Sequence, residues 1–349
     1  MDSRKKCQVI WNWPSLGNFT RPSHATWPDA IRGAGITTSL GWIALNMEAP
    51  RALLPLTLGS VFTAIAETGQ GREHPWRTMA WTTSWLSIAA GLGAVVGEYT
   101  PLAVVSSGVM GFVCGTAASH GSRTAVTSLL TLVVFTIYCG WPGSIIPATQ
   151  DMALIFAGGM IQTVGCLAVR AYQRKSYERV EHPQLWISLK QYNFQPIKEH
   201  LRHGMRLGVT LMVATSISET TGLPHQYWLP MTVAWVSRAQ LSSTCNRVIH
   251  RLLGTVLGLS IVQLVVQFIG PQGSEWLPLS LIGAGILIAY VWVHYAIAVM
   301  GVTMWIVSAF ALVGDRVVDT IANRMLDTFI ACLIVLVSVL IDKGFKRIK

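Results

Sequence analysis

The residues of this chain that could do chemistry are charged groups set inside, or at the ends of, long apolar runs. Arg324 and Asp327 are three residues apart within one such run, where a helix would place them on one face. Ionisable groups at membrane depth are costly and usually face a bundle interior or a wet cavity. Protonation of Asp327 would release Arg324 to bind a carboxylate, which would couple proton entry to anion exit. The alternative is a structural ion pair.

Two further arginines, Arg247 and Arg251, are one helical turn apart at the start of another apolar run. A guanidinium binds a carboxylate through two parallel hydrogen bonds. These arginines are therefore candidates for attracting an organic anion, or else for anchoring the helix to lipid phosphates. Arg77 has the same position in the first half of the chain.

Two other residues are candidates for the substrate pathway. Thr255 lies within the small-residue face formed by Gly254 and Gly258, which suits tight helix packing or a sliding surface. Pro230, like Pro55, falls in a short apolar segment, where proline either kinks a helix or breaks it and frees a carbonyl.

Four titratable residues at predicted helix ends are candidates for proton handling: Glu67, Glu219, His120 and His294. Histidine titrates near neutral pH, and His120 and His294 occupy corresponding positions in the two halves. Each of the four also has a simpler reading as a solvated or packed interfacial side chain.

Motifs for soluble catalysis are absent from the sequence. It contains no GxSxG, no Walker loop, no HExxH and no GxGxxG after a strand. The six cysteines are scattered without a CxxC pair, as expected of small buried side chains. We therefore expect no enzyme activity, no metal site and no cofactor.

The composition is that of a membrane protein. Hydrophobic residues make up 52% of the chain and charged residues 12%, against about 25% in an ordinary soluble domain. The apolar runs predict an all-α polytopic membrane protein with about twelve transmembrane helices. The predicted segments are 30–47, 52–67, 79–97, 101–118, 123–142, 149–169, 205–220, 227–240, 248–270, 274–293, 295–313 and 317–341.

The distribution of Lys and Arg predicts that both termini are cytoplasmic. If the chain crosses twelve times, only Arg51 and Arg316 lie on the outer side of the membrane, and Arg324 lies within it. About 23 of the 26 basic residues are then cytoplasmic. The net charge of +10 then reflects topology and contact with anionic lipid headgroups rather than nucleic-acid binding. The N-terminus, interrupted by prolines, does not read as a signal peptide.

The two halves of the chain repeat at a spacing of about 174 residues, which predicts two parallel six-helix repeats. Arg32 corresponds to Arg206, Arg77 to Arg251 and His120 to His294. The predicted organisation is a cytoplasmic N-terminal segment (1–29), the first repeat (30–170), a short cytoplasmic linker (171–204), the second repeat (205–342) and a cytoplasmic tail (343–349).

Three segments of the second half resemble the fusaric-acid-resistance (FUSC-like) family, which includes aromatic acid exporters. Tyr227–Thr232 is similar to its YWxPxT segment, Arg247–Gly258 to its RxxxRxxGTxxG segment, and Arg324–Thr328 to its RxxDT segment. The first half matches more loosely, around Leu56–Phe62 and Arg77.

This resemblance implies export of small, aromatic organic acids across the bacterial inner membrane, and the acid–base pair suggests protons as the coupling ion. The alternatives are a passive organic-anion channel, as in distantly related plant malate channels, and a non-transporting membrane scaffold. A homo-oligomer is also possible from the sequence.

Overall fold

The structure is a computed structural model that describes residues 25–68, 75–176, 197–222, 225–270 and 273–348. The described residues form twelve α-helices and two single-turn 3₁₀ helices, with no β-strand among them. The predicted all-α fold is thus confirmed for this part of the chain. The helices are α1 (Trp27–Asn46), α2 (Pro50–Thr68), α3 (Pro75–Gly97), α4 (Thr100–Ala117), α5 (Ser122–Cys139), α6 (Ile145–Ser176), α7 (Ile197–Thr221), α8 (Trp228–Val236), α9 (Leu241–Ile269), α10 (Leu277–Tyr290), α11 (Tyr295–Leu312) and α12 (Val317–Ile348).

Six of these helices are long and apolar enough to cross a membrane: α3, α4, α6, α9, α11 and α12. Helices α5 and α10 are also apolar but shorter. The protein is therefore a multi-pass membrane protein. Each of the twelve predicted segments overlaps one helix, while the number that cross the bilayer completely stays a prediction.

The outer surface of the bundle is apolar. On α3, Trp81, Trp85 and Leu92 are exposed, and on α9 so are Leu257 and Leu264. Contiguous exposed apolar surface is unfavourable in water and marks contact with a partner or a membrane. On helices of this length and hydropathy, the surrounding medium that fits is hydrocarbon.

Prolines begin helices here rather than break them. Pro28, Pro101 and Pro278 lie in the first turns of α1, α4 and α10, where a missing backbone N–H costs nothing. Helix α2 continues through Pro55, and Pro230 lies in the first turn of α8. The structure therefore shows no helix broken at Pro55 or at Pro230.

Helix α8 is the exception among the predicted crossings. It has only nine residues, all of them buried, so it is about 14 Å long against a hydrocarbon core of about 30 Å. The predicted segment 227–240 was thus too long. The chain becomes extended at Ser237, and the hydroxyl of Thr244 accepts a hydrogen bond from the backbone N–H of Arg238 (3.1 Å) at the turn into α9.

The helices pack in pairs that connect distant parts of the sequence. Within the first half α2 packs on α6 and α3 on α5; within the second half α8 packs on α12 and α9 on α11. The halves meet where α4 packs on α7 and α1 on α10. Helices α6 and α7 extend into the predicted linker, and residues 1–24 and 177–196 lie outside the described residues.

Candidate functional site

A cavity walled by aromatic side chains lies between the two halves of the molecule. We call it the aromatic cavity. Its empty volume is about 490 Å³, open space at its mouth included. Helices α2 and α5 contribute one side of the wall, and α8, α9, α11 and α12 contribute the other. The lining residues are Leu54, Leu58, Phe62, Ile137, Trp141, Tyr227, Trp228, Met231, Trp235, Arg251, Val302, Trp305, Ile306, Phe310 and Arg324.

Two of the predicted arginines, Arg251 and Arg324, share this cavity. Both side chains are buried. Nη2 of Arg251 lies 3.2 Å from the hydroxyl of Thr232 on α8 and donates to it, and the guanidinium carbon of Arg324 lies 4.8 Å from the ring centre of Trp228. Nε of Arg251 and all three guanidinium nitrogens of Arg324 are buried without a hydrogen-bond partner. The cavity therefore presents unused cationic N–H donors among aromatic rings.

Arg247 is engaged by the protein instead. It packs over the ring of Tyr295, with its guanidinium carbon 4.2 Å from the ring centre, and its Nη1 donates to the carbonyl of Trp235 (3.0 Å). It is not among the residues that line the aromatic cavity. Because Arg247 and Arg251 are each only 2% exposed, anchoring to lipid phosphates does not describe either side chain here.

Asp327 lies one turn beyond Arg324 on α12 but does not line the aromatic cavity. It is buried, and its Oδ2 has no hydrogen-bond partner. Since the Arg324 nitrogens also lack partners, the ion pair considered from the sequence is not formed in this structure. Arg324 and Asp327 are thus close in sequence, but each has buried polar atoms without a hydrogen-bond partner.

Two other pathway candidates, Thr255 and Pro230, lie near this cavity without lining it. Thr255 is buried and its hydroxyl has no hydrogen-bond partner. The neighbouring glycines face α11: a Cβ on Gly254 would lie 2.3 Å from the carbonyl of Ala296. The small-residue face on α9 therefore packs within the second half, not between the halves.

The candidates in the first half lie elsewhere. Arg77 is half-buried at the start of α3, with its guanidinium carbon 5.3 Å from the ring of Trp76. Glu67 is buried at the end of α2, where it forms an ion pair with Arg32 of α1 and accepts a hydrogen bond from the thiol of Cys166 (3.1 Å). Glu67 is thus a partnered carboxylate and not a solvated one.

The remaining proton-handling candidates are dispersed. Glu219 on α7 accepts a hydrogen bond from the hydroxyl of Thr100 on α4 (3.2 Å). His120 is exposed. The ring of His294 stacks on that of His250 at 5.5 Å, and Nδ1 of each lacks a hydrogen-bond partner. None of these groups lines the aromatic cavity.

One titratable residue beside the cavity was missed by the sequence reasoning. His225 lies in the turn before α8 and has a φ of 59°. Residues other than glycine rarely adopt a positive φ. Its ring stacks on Trp228 at 4.3 Å, and Nε2 lies 3.8 Å from Oδ2 of Asp315. Burial lowers the pKa of His225, and Asp315 opposes that shift. A lone histidine in a loop gave no periodic signal by which to find it.

Comparison with known proteins agrees with the motif analysis. Residues 213–338 match the family described as fusaric acid resistance protein-like. The inner membrane protein YccS of Escherichia coli is 30% identical over 150 residues, which are 43% of this chain and 20% of that protein. An uncharacterized protein of Synechocystis sp. is 34% identical over 122 residues (35% of this chain, 15% of the relative), and the uncharacterized protein YhfK of E. coli is 34% identical over 136 residues (38% and 19%).

The chain therefore aligns with a fifth or less of the length of these three relatives. No solved structure matches it. The matched segment includes α8 to α11 and most of α12, and so contains Arg251, Arg324 and most of the aromatic wall. The predicted resemblance is confirmed: residues 213–338 of this membrane protein are similar to the fusaric acid resistance protein-like family.

Proposed function

We propose that this protein is a secondary transporter that exports small aromatic organic acids across the bacterial inner membrane. The observation that carries the proposal is the aromatic cavity, in which Arg324 and Arg251 offer N–H donors that no protein group accepts. A carboxylate supplies the acceptors that such donors lack. The aromatic rings around them supply a stacking surface for an aromatic acid.

Charge balance supports an anionic substrate. A buried cation without hydrogen bonds is strongly unfavourable in a low-dielectric surrounding. The ring of Trp228 compensates part of that cost for Arg324 through its negative face. An arriving carboxylate would compensate much more, so the cavity favours an anion over a neutral or cationic solute.

The architecture we propose consists of twelve crossings in two parallel repeats, with both termini in the cytoplasm. The contacts between helices support the repeat, because corresponding pairs recur. The pairs α2 with α6, α3 with α5 and α3 with α6 correspond to α8 with α12, α9 with α11 and α9 with α12. The two largest contacts between halves, α4 with α7 and α10 with α1, also exchange under the same two-fold relation.

Proton coupling is assigned to Asp327. It is a buried carboxylate one helical turn from Arg324, and it is not held by a hydrogen bond at Oδ2. A proton bound by Asp327 would weaken its attraction for Arg324 and leave the guanidinium to the substrate. Proton binding at Asp327 and anion binding at Arg324 would then be linked, which would couple proton entry to anion exit.

The test is transport by purified protein in proteoliposomes under an imposed pH gradient, with a panel of aromatic acids that includes benzoate. We expect substrate movement driven by the gradient and lost in the Arg324→Gln variant. Arg316→Gln is the matched control, because Arg316 is exposed just before the same helix. Absence of gradient-driven movement for every acid would overturn antiport, and steady voltage-driven current without a gradient would indicate an anion channel.

A further inference from the structure

A second cavity lies against a different face of α8 from the aromatic cavity. We call it the basic cavity. It is formed by the end of α4, the start of α5, the start of α7 and the connection from α8 to α9, with an empty volume of about 690 Å³, open space included. Its polar lining residues are Ser128, His200, His203, Ser237 and Arg238.

The electrostatic character of the basic cavity is positive. Among the described residues that line it, none is acidic. Nε of Arg238 and Nδ1 of His200 are buried without hydrogen-bond partners. The first turn of α5 contributes Ala125 and Val126 to the wall, so the positive end of the helix dipole also lies there.

The position of Arg238 is fixed by its own backbone. Its N–H donates to the hydroxyl of Thr244 (3.1 Å), and its carbonyl accepts a hydrogen bond from Arg206 of α7. Its guanidinium makes one long contact, from Nη1 to the carbonyl of Ser237 (3.4 Å). The side chain is therefore held at the cavity without being saturated by the protein.

Both cavities are lined in part by α8, and the basic cavity also by the residues that directly follow it. Trp235 lines the aromatic cavity, whereas its neighbour Ala234, and Ser237 just after the helix, line the basic cavity. The ring of Trp235 contacts that of Phe62 on α2, which also lines the aromatic cavity, edge to face at 6.5 Å. Two cavities that each contain a buried arginine thus lie against the same short helix.

We propose that the basic cavity is a second binding site for the carboxylate of the transported acid, occupied from the cytoplasm before the acid passes α8. This inference rests on the proposed function and its topology. Arg238 and His200 would bind the carboxylate there, as Arg324 and Arg251 would in the aromatic cavity.

The test counts binding sites with radiolabelled benzoate on the full chain in nanodiscs of phosphatidylcholine. We expect two sites per chain in the unaltered protein, one in Arg238→Gln and one in Arg324→Gln. Arg202→Gln is the matched control, because Arg202 is partly exposed on α7 and bonded to Asp342 outside the cavity; it should retain both sites. Ser128→Phe, which fills the basic cavity without altering Arg238, should also remove one site.

Specific outcomes would overturn the inference. One is a single site in the unaltered protein, unaffected by Arg238→Gln, which would leave the proposed transport function intact. Another is a remaining site in Arg324→Gln that binds inorganic phosphate or phosphatidylglycerol but not benzoate, which would make it a phosphate or lipid site. Two benzoate sites without any transport would support the basic cavity and refute the proposed function instead.

Discussion

The buried arginines of the second half differ in what surrounds each guanidinium. Arg247 bonds to a carbonyl and lies over Tyr295, so its environment is supplied by the protein. Arg324 lies over Trp228 with all its N–H groups unpartnered. Sequence spacing groups Arg247 with Arg251, but the cavity groups Arg251 with Arg324. The pair of arginines that shares the cavity is therefore defined by three-dimensional packing.

We predict that Arg324→Lys weakens benzoate binding about 10- to 100-fold, because a charged hydrogen bond contributes about 1.5–3 kcal/mol and lysine cannot form the two-pronged contact. Folding should be little affected, since Arg324 makes no protein hydrogen bond. Arg247→Lys should instead lower the Tm by disrupting the Trp235 and Tyr295 contacts. Binding and thermal unfolding of both variants check this, and equal benzoate affinity in Arg324→Lys would contradict it.

Asp327 gives a prediction about coupling. Asp327→Asn keeps the shape of the side chain but cannot exchange a proton, so we expect loss of transport driven by a pH gradient with retention of benzoate counterflow. Proteoliposomes measure both. Asp319→Asn, at an exposed position in the first turn of the same helix, is the control. Full gradient-driven transport in Asp327→Asn would remove Asp327 from the mechanism.

His225 gives a prediction about pH. Its pKa is lowered from the ordinary value of 6.5, with burial as the main cause. The fold therefore favours neutral His225, and the stabilisation it provides is present above pH 6.5 and is lost as the pH falls through the lowered pKa. We expect the protection of residues 225–227 against hydrogen exchange, corrected for the intrinsic pH dependence of the exchange rate, to decrease at acid pH. His225→Phe retains a ring for stacking on Trp228 without a titrating group, so that decrease should disappear; an identical decrease would assign it to another group.

At the scale of elements, hydropathy identified the helices but not their lengths. It measures composition over a window, and the segment 227–240 is apolar enough to suggest a crossing although only Trp228–Val236 is helical. Helix α8 ends where Ser237 becomes extended, and the backbone N–H of Arg238 then donates to the hydroxyl of Thr244 in the next helix. Such a contact is not visible in periodicity. The small-residue face on α9 was recognised from sequence, but its partner helix was not.

Small residues allow α4 and α7, which belong to different halves of the chain, to pack closely. A Cβ on Gly208 would lie 2.7 Å from the carbonyl of Gly108. We predict that Gly208→Ala separates these helices and costs about 1–3 kcal/mol, as overpacking usually does. Gly35→Ala is the control, because a Cβ there meets nothing within 4 Å. Thermal unfolding should show a lower Tm for Gly208→Ala alone; equal Tm values would mean that the contact adapts.

At the scale of the whole molecule, Arg32 and Arg206, which correspond in the two repeats, bond to residues at the ends of different helices. Arg32 on α1 pairs with Glu67 at the end of α2. Arg206 on α7 bonds to Asp342 near the end of α12 and to the carbonyl of Arg238 after α8. The correspondence of the arginines was predicted from spacing alone. Their partners were not, because the acidic residues that they contact do not repeat at the same spacing.

The direction of the repeat gives the last prediction. In parallel repeats with even numbers of crossings, the connection from α3 to α4 and that from α9 to α10 lie on the same side of the membrane, whereas in inverted repeats they lie on opposite sides. Glu98 and Glu275 are exposed in these two connections, and Glu199 is exposed at the start of α7.

We therefore expect Glu98→Cys and Glu275→Cys, each in a chain without native cysteines, to react with a membrane-impermeant maleimide in spheroplasts with intact membranes. Glu199→Cys should react only after the membrane is permeabilised. Reaction of Glu98→Cys and Glu275→Cys from opposite sides would refute the parallel repeat. Reaction of all three from one side would refute the assignment of the basic cavity to the cytoplasm, because α7 begins at that cavity.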